Sequence, residues 1–439
     1  MSQKLKKYGF WLAIILVFVG IITAVVFGVK FWLNKHDKGP DVEESKPVVD
    51  ELPDDYIKVS KVSWDNAAAF SEVKAEDIHV IQFVKEHDGN AETAWVFDGI
   101  KFFMFENVVS VVVPNDLQIV GTMHGAFAGL TNLTEIKGLE FVDTSFVQDM
   151  GKLFEGCGNL EILDFAQLET NNVVNAEYMF KGCSSLTKID LSANDMSNVT
   201  SISYTFAECS NASEIILPAL PAVRNMSYAF SAVGTANTEG LVIGGTLDVT
   251  NVKTVVGMFS DAKIYDTSVI EKMDVSHITD MTSMFEHASF ESIDLNGWDV
   301  SAVENMDFMF RNCKSTYSLK VDSWRVSSLK SCQMMFYNCY NLSELELNWI
   351  GVDVLDSTFA MFMECTSLQT LKINCFNGAR VGDASSMFQN CTNLKKIICS
   401  GFEANASDSA FFNCVELPHY HESNTVINEY NAELYFVKE

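Results

Sequence analysis

The 439 residues carry 58 acidic against 30 basic side chains, a net charge of −28, which argues against nucleic acid as a partner because phosphate binding needs a concentrated positive field. With 48% hydrophobic and 12% aromatic residues the chain can bury a large core, so wholesale disorder is excluded. An acidic coat also keeps an exposed repeat array soluble.

Phe10 to Val29 (FWLAIILVFVGIITAVVFGV) is twenty residues without a charge. At about 1.5 Å per residue it spans roughly 30 Å of hydrocarbon. Trp11, Phe31 and Trp32 lie near its ends and Lys4, Lys6 and Lys7 precede it. Residues 1–33 are therefore expected to be a cytoplasmic stub and an uncleaved transmembrane helix, with the rest of the chain outside the cell, although Lys30, Lys35 and Lys38 weaken the charge asymmetry. A cleaved signal peptide is the competing reading, but the run is longer than a usual signal core and no convincing small-x-small site follows it. Residues 34–60 hold Pro40, Pro47 and Pro53 among many charges and read as an acidic stalk. In residues 61–121, strand-like bursts (VIQFV at 80–84, IKFFMF at 100–105, VVSVVV at 108–113) alternate with turn signals. This pattern predicts a β-rich cap over the first face of an open stack.

From residue 122 to 414 a phenylalanine returns about every 26 residues: Phe127, Phe154, Phe180, Phe206, Phe230, Phe259, Phe285, Phe310, Phe336, Phe362, Phe388 and Phe412. Such a period marks a solenoid of about twelve repeats. Leu186, Ile189 and Leu191 have the L-x-x-I-x-L spacing of a short strand, and Leu160/Leu163/Phe165, Leu342/Leu345/Leu347 and Leu368/Leu371/Ile373 fill the same slots. Stacked in parallel at about 4.8 Å each, twelve rungs make a body roughly 55 Å long. The other half of the unit carries Val199, Ile202 and Phe206, with Val223/Met226/Phe230, Ile278/Met281/Phe285 and Val303/Met306/Phe310 at the same offsets of three and four. That is one face of a short helix or helical turn. Repeats between Ser231 and Ser289 are less regular, and residues 415–439 leave the pattern and read as a C-terminal cap. The predicted fold class is an α/β repeat solenoid, a leucine-rich-repeat-like right-handed coil with a parallel β-sheet on one side and short helices or turns on the other.

The stretch YMFKGCSSLTKIDLSANDMSNVTSISYTF (178–206) and its relative IDLNGWDVSAVENMDFMF (293–310) resemble the repeat of BspA-like leucine-rich-repeat surface proteins. The resemblance implies an exported or anchored cell-surface protein that binds host or neighbouring-cell proteins, and glycans as a further partner class. It covers residues 122–414.

Seven cysteines follow the repeat phenylalanine by three residues, giving a structural ladder of Phe154/Cys157, Phe180/Cys183, Phe206/Cys209, Phe310/Cys313, Phe336/Cys339, Phe362/Cys365 and Phe388/Cys391. Every rung points its Cβ the same way, so a reduced, buried ladder is expected rather than disulfides, which need facing vectors. No C-x-x-C pair is present, and His419-x-His421 alone has ligand-like spacing, so neither metal nor other cofactor is expected. No phosphate loop, nucleophile elbow or paired carboxylate stands out, so no catalytic residue is assigned and the chain is not expected to be an enzyme. Asn-x-Ser/Thr triplets at Asn132, Asn198, Asn211, Asn225, Asn341, Asn390 and Asn405 follow from the repeat itself.

The strand register points a column outward: Asp164, Asp190, Ile216, Asp294, Lys320, Glu346, Lys372 and Ile398. Its charged members are the candidate binding residues, together with Trp298, Trp324 and Trp349, which follow three successive strands and either form an aromatic ledge or pack under the neighbouring coil. The functional expectation is adhesion or surface recognition by non-covalent binding. A self-assembling structural protein is the first alternative and a hydrolase of surface polymers the second.

Overall fold

The structure, a computed structural model, describes residues 56–59, 75–84, 96, 105–114 and 117–438, all within one compact unit, Pro53–Glu439. These residues form a parallel β-solenoid of about twelve turns with little helix.

Two ladders run along it. In the first, Tyr56–Val59, Val80–Phe83, Ser110–Val112 and Glu135–Lys137 pair in parallel. Further on, the same kind of pairing joins Lys188–Asp190, Glu214–Leu217 and Val242–Gly245, then Ser292–Asp294 and Ser318–Lys320, then Glu344–Glu346, Thr370–Lys372 and Lys396–Ile398. Strands of the stretch expected as a cap thus pair in the same parallel sense as the repeats. The second ladder starts with Gln118–Thr122 on Asp143–Asp149. It continues as single bridges, one per coil, from Asp149↔Asn175 to Ser331↔Ser357, and ends in Val354–Ser357, Arg380–Asp383 and Glu403–Ala406.

Of the short helix or turn that offsets of three and four suggested, the segment around each phenylalanine is the turn. Around Phe180 the amides of Met179, Lys181 and Cys183 donate three residues back, to Ala176, Tyr178 and Phe180. The amides between them, of Tyr178, Phe180 and Gly182, donate to the next coil at Ser203, Thr205 and Ala207. An α-helix would send every amide four residues back. The alternation instead makes tandem β-turns, with Tyr178 (φ 58°) and Gly182 (φ 74°) at the left-handed corners, the feature of type II turns. Half the amides of each turn segment thereby hold the next coil.

The core is one column of rings. Phe127, Phe154, Phe180, Phe206, Phe230, Phe259, Phe285, Phe310, Phe336, Phe362 and Phe388 stack at 5.3 to 5.9 Å between centroids, within 15° of parallel. The twelfth ring is Phe411, fully buried and 5.3 Å from Phe388. Phe412, the residue expected there, is 47% exposed. With Phe411 in the slot, Cys414 follows its ring by three residues like the other ladder cysteines.

Beyond the array the side chain of Asn428 caps the helix Glu429–Tyr435 by accepting from the amide of Asn431. Phe436–Val437 then adds a parallel strand to Lys396–Ile398. Tyr435 and Phe436 lie 4.8 and 5.9 Å from the Phe411 ring and cover it. The alternation in residues 433–437 therefore resolves into a helix end and a two-residue strand.

The single-pass topology with a cytoplasmic N-terminus is corrected. Among the described residues no helix is long and apolar enough to cross a membrane, and the run at 10–29 lies outside the described residues.

Candidate functional site

The strand ladder places the charged column on one surface. Asp164, Asp190, Lys320 and Glu346 are exposed, and Asp294 and Lys372 are half-buried. The register brings opposite charges side by side: Asp294 faces Lys320 and Glu346 faces Lys372. The resulting Nζ–carboxylate distances are 3.0 and 2.9 Å, while Lys188 sits 3.4 Å from Asp190 and 3.0 Å from Glu214. Ser192 bonds Asp190 and holds its carboxyl below the usual range, Lys320 does the same for Asp294, and Asn348 followed by Lys372 for Glu346. These pairs are exposed and screened by water, so an incoming charge can replace either partner at little cost.

The three tryptophans do not form a ledge. Trp298, Trp324 and Trp349 are buried, and their indole N–H groups donate to the carbonyls of Ile270, Leu295 and Val321 in the preceding coil at 3.1, 2.8 and 2.6 Å. The side chain is large and apolar with one donor, so it fits a buried corner where a single carbonyl awaits a bond.

All eleven cysteines are free and buried. Each ladder thiol donates to the carbonyl of the phenylalanine one coil earlier: Cys157 to Phe127 and Cys183 to Phe154 at 3.2 Å, Cys339 to Phe310 and Cys391 to Phe362 at 3.0 Å. Burial pushes the thiols of Cys157, Cys209 and Cys365 up to about 12, which removes the thiolate needed for nucleophilic or metal-binding chemistry.

Other polar columns are also consumed by the stack. The side-chain amides of Asn132, Asn198, Asn211 and Asn341 donate to carbonyls of the preceding coil, and Asn390 donates to Glu364. Five of the triplet asparagines therefore have a structural use. Asp195, Asp274 and Asp299 each bond the backbone and side chain two residues on, which holds their carboxyls low. Among the described residues no group of three His, Cys, Asp or Glu could hold a metal ion. His421 bonds Ser423 at 2.8 Å.

One surface feature was not singled out from the sequence. Two residues before three successive ladder rings stand Tyr178, Tyr204 and Tyr228, half-buried and stacked at 4.9 and 4.8 Å. Identical spacing from the ring was the available signal. A polar column of Asp261, His287, Asn312 and Asn338 stands four residues further along each turn segment, at its second left-handed corner, joined at 3.0, 2.8 and 2.7 Å. A shallow cavity of about 300 Å³ beside it is lined by His287, Asn312 and Lys314.

Parallel coils of about 26 residues, most of them contributing a short leucine-type strand, define a leucine-rich-repeat-like solenoid. A family model described as "Mycoplasma protein of unknown function, DUF285" matches residues 121–240, 224–349 and 318–414. That is more than half of the chain, which belongs to this family, and the matched span coincides with the array recognised as BspA-like. Similar solved structures are a leucine-rich cell-surface protein from Faecalibacterium prausnitzii (16% identity, 78% of this chain and 83% of that one, TM-score 0.36) and a leucine-rich-repeat protein from Eubacterium ventriosum (15% identity, 84% and 92%, TM-score 0.38). No curated protein gives a significant match.

Proposed function

We propose that this chain is a non-covalent recognition protein of the adhesion class, in which the strand face of the solenoid receives a protein partner. The observation that carries this reading is the column Asp164, Asp190, Asp294, Lys320, Glu346 and Lys372, whose members from Asp190 onward stand on parallel strands and change sign along the array. A rigid surface of this kind pre-organises many weak contacts, and mixed charge gives register and selectivity rather than bulk affinity. Binding, not bond-making, is the proposed activity.

The test compares the full chain with a variant carrying Asp190→Lys, Asp294→Lys and Glu346→Lys. A protein captured by the full chain is purified and its Kd measured against salt. Affinity that falls with salt and falls further in the variant supports the strand face. Equal binding by both chains would move the contact elsewhere, and failure of any protein to bind would sink the reading.

A further inference from the structure

The tyrosine column presents unused hydrogen-bonding groups at a fixed spacing. Tyr178, Tyr204 and Tyr228 occupy left-handed corners (φ 58°, 55° and 55°), which directs their side chains out of the coil side by side. Both ends of the stack are closed. The Lys152 ammonium sits 5.2 Å from the Tyr178 centroid, and Lys181 sits 5.9 Å from both Tyr178 and Tyr204. At the other end Tyr228 lies across Gly257, where an added Cβ would meet its ring at 2.2 Å. The ring faces are therefore occupied, and each tyrosine offers its edge and its hydroxyl. None of the three hydroxyls bonds another described residue.

We propose that this column is the contact strip for a second copy of the chain, packed side by side with its axis reversed. Two observations favour that occupant. The first is pitch. Donors about 4.8 Å apart match a partner that repeats at the same distance, as another stack of coils does; an extended peptide, at about 3.3–3.4 Å per residue, falls out of step after a few residues.

The second is charge order along the strip. A two-fold axis through Tyr204 sets the Tyr178 rung against the Tyr228 rung of the other copy, and the Lys152 rung against the rung of the partner's Gly257 and the partner's Asp261. Lys152 and Asp261 are 35% and 51% exposed. Each charge has a partner of its own, Glu155 at 3.3 Å and His287 at 3.0 Å, so the contact extends existing pairs. Like patch meets like patch, as a two-fold interface requires. Elsewhere the net charge of −28 keeps copies apart, whereas along the strip each lysine carries its own carboxylate, Glu155 at 3.3 Å from Lys152 and Glu208 at 3.4 Å from Lys181. The strand face stays open, so the paired solenoids present two recognition surfaces.

The test is sedimentation velocity of the full chain across a wide concentration range, with circular dichroism confirming that each variant is folded. The wild-type chain should show a reversible monomer–dimer equilibrium. Tyr204→Ser, at the axis and so counted twice, should raise the dimer Kd by about tenfold or more. Lys152→Glu and Asp261→Lys should each weaken self-association, and an equimolar mixture of the two should restore it, because both cross-contacts then join opposite charges. A wild-type chain that stays monomeric overturns the proposal. So does a dimer indifferent to Tyr204→Ser and Lys152→Glu, which places the contact outside the strip. Two weakened variants that fail to recover on mixing overturn the reversed-axis register. The apolar run at 10–29 is common to all these chains, so its own association cancels.

Discussion

The coils at Phe310, Phe336, Phe362 and Phe388 and those at Phe230, Phe259 and Phe285 solve the same packing problem with different side chains. In the first group a cysteine three residues on bonds the carbonyl one coil earlier. In the second the slot holds Val233, Ala262 and Ala288, which have no such donor. One coil of the second group is also longer, and its extra loop is held by Lys263, whose ammonium donates to the carbonyls of Asn237 and Thr238 at 2.8 and 2.6 Å. Yet the rings stack alike, at 5.4 and 5.5 Å in the irregular group and 5.7 and 5.5 Å in the regular one. The amide bonds between coils match too, at 2.9 Å for Phe230, 2.8 Å for Phe259 and 2.9 Å for Phe336. The ring column and the alternating turn amides are thus the invariant part of the fold, and the thiol is an accessory.

If that is so, removing a ring should cost most and should cost the same in both groups. Phe336→Ala and Phe259→Ala are each expected to lose about 3–5 kcal/mol, read as a fall in the midpoint of denaturant unfolding. A much smaller loss at Phe259 would break the equivalence.

Next in size is Gly257→Ala, within the irregular group. The corner itself tolerates side chains, since Ala360 occupies the equivalent slot at φ 51°. The cost comes from Tyr228, whose ring lies where the methyl would go, and about 1–3 kcal/mol is expected from overpacking. Adding Tyr228→Ala should recover part of it. A cost that persists unchanged in the double variant would place the problem in the backbone.

The smallest effect separates coils with a thiol from coils without one by pH. Folded thiols such as Cys157 and Cys209 are raised from 9.0 to about 12 by burial, while an unfolded thiol ionises near its ordinary value. The stabilisation is complete below pH 9.0 and is lost as pH rises towards the folded value. Thermal midpoints should therefore fall in alkali. Replacing Cys157 and Cys209 by alanine should flatten that fall, whereas Ala262→Gly, in a rung without a thiol, should leave its slope unchanged. Equal slopes in wild type and the cysteine variants would contradict the assignment.

Much of the fold was legible because a solenoid writes its core as a period. Ring, strand and cysteine slots recur at fixed offsets, and no long-range pairing has to be guessed. The turn segment stayed open between helix and turn because Val199, Ile202 and Phe206 face inward equally well from a helix and from tandem turns, and only the direction of each amide separates the two. Phe411 and Phe412 are adjacent, so period alone could not choose between them; contact with Phe388 does. On the surface, alternation exposed the strand column, but the pairing of Asp294 with Lys320 needed the register. The tryptophans stayed open between a ledge and packing under the neighbouring coil because sequence does not show the carbonyl waiting beneath each indole. Tyr178, Tyr204 and Tyr228 were visible at one offset, yet their stacking depends on corners with positive φ that the residue types do not announce.

The most direct test of the invariant ring column is native-state hydrogen exchange followed coil by coil. The amides of Phe230 and Phe259 should exchange as slowly as those of Phe336 and Phe362, because all four donate to the next coil from beneath a stacked ring. Early exchange confined to the coils at Phe230, Phe259 and Phe285 would show that the cysteine ladder, not the ring column, carries the stability of the array.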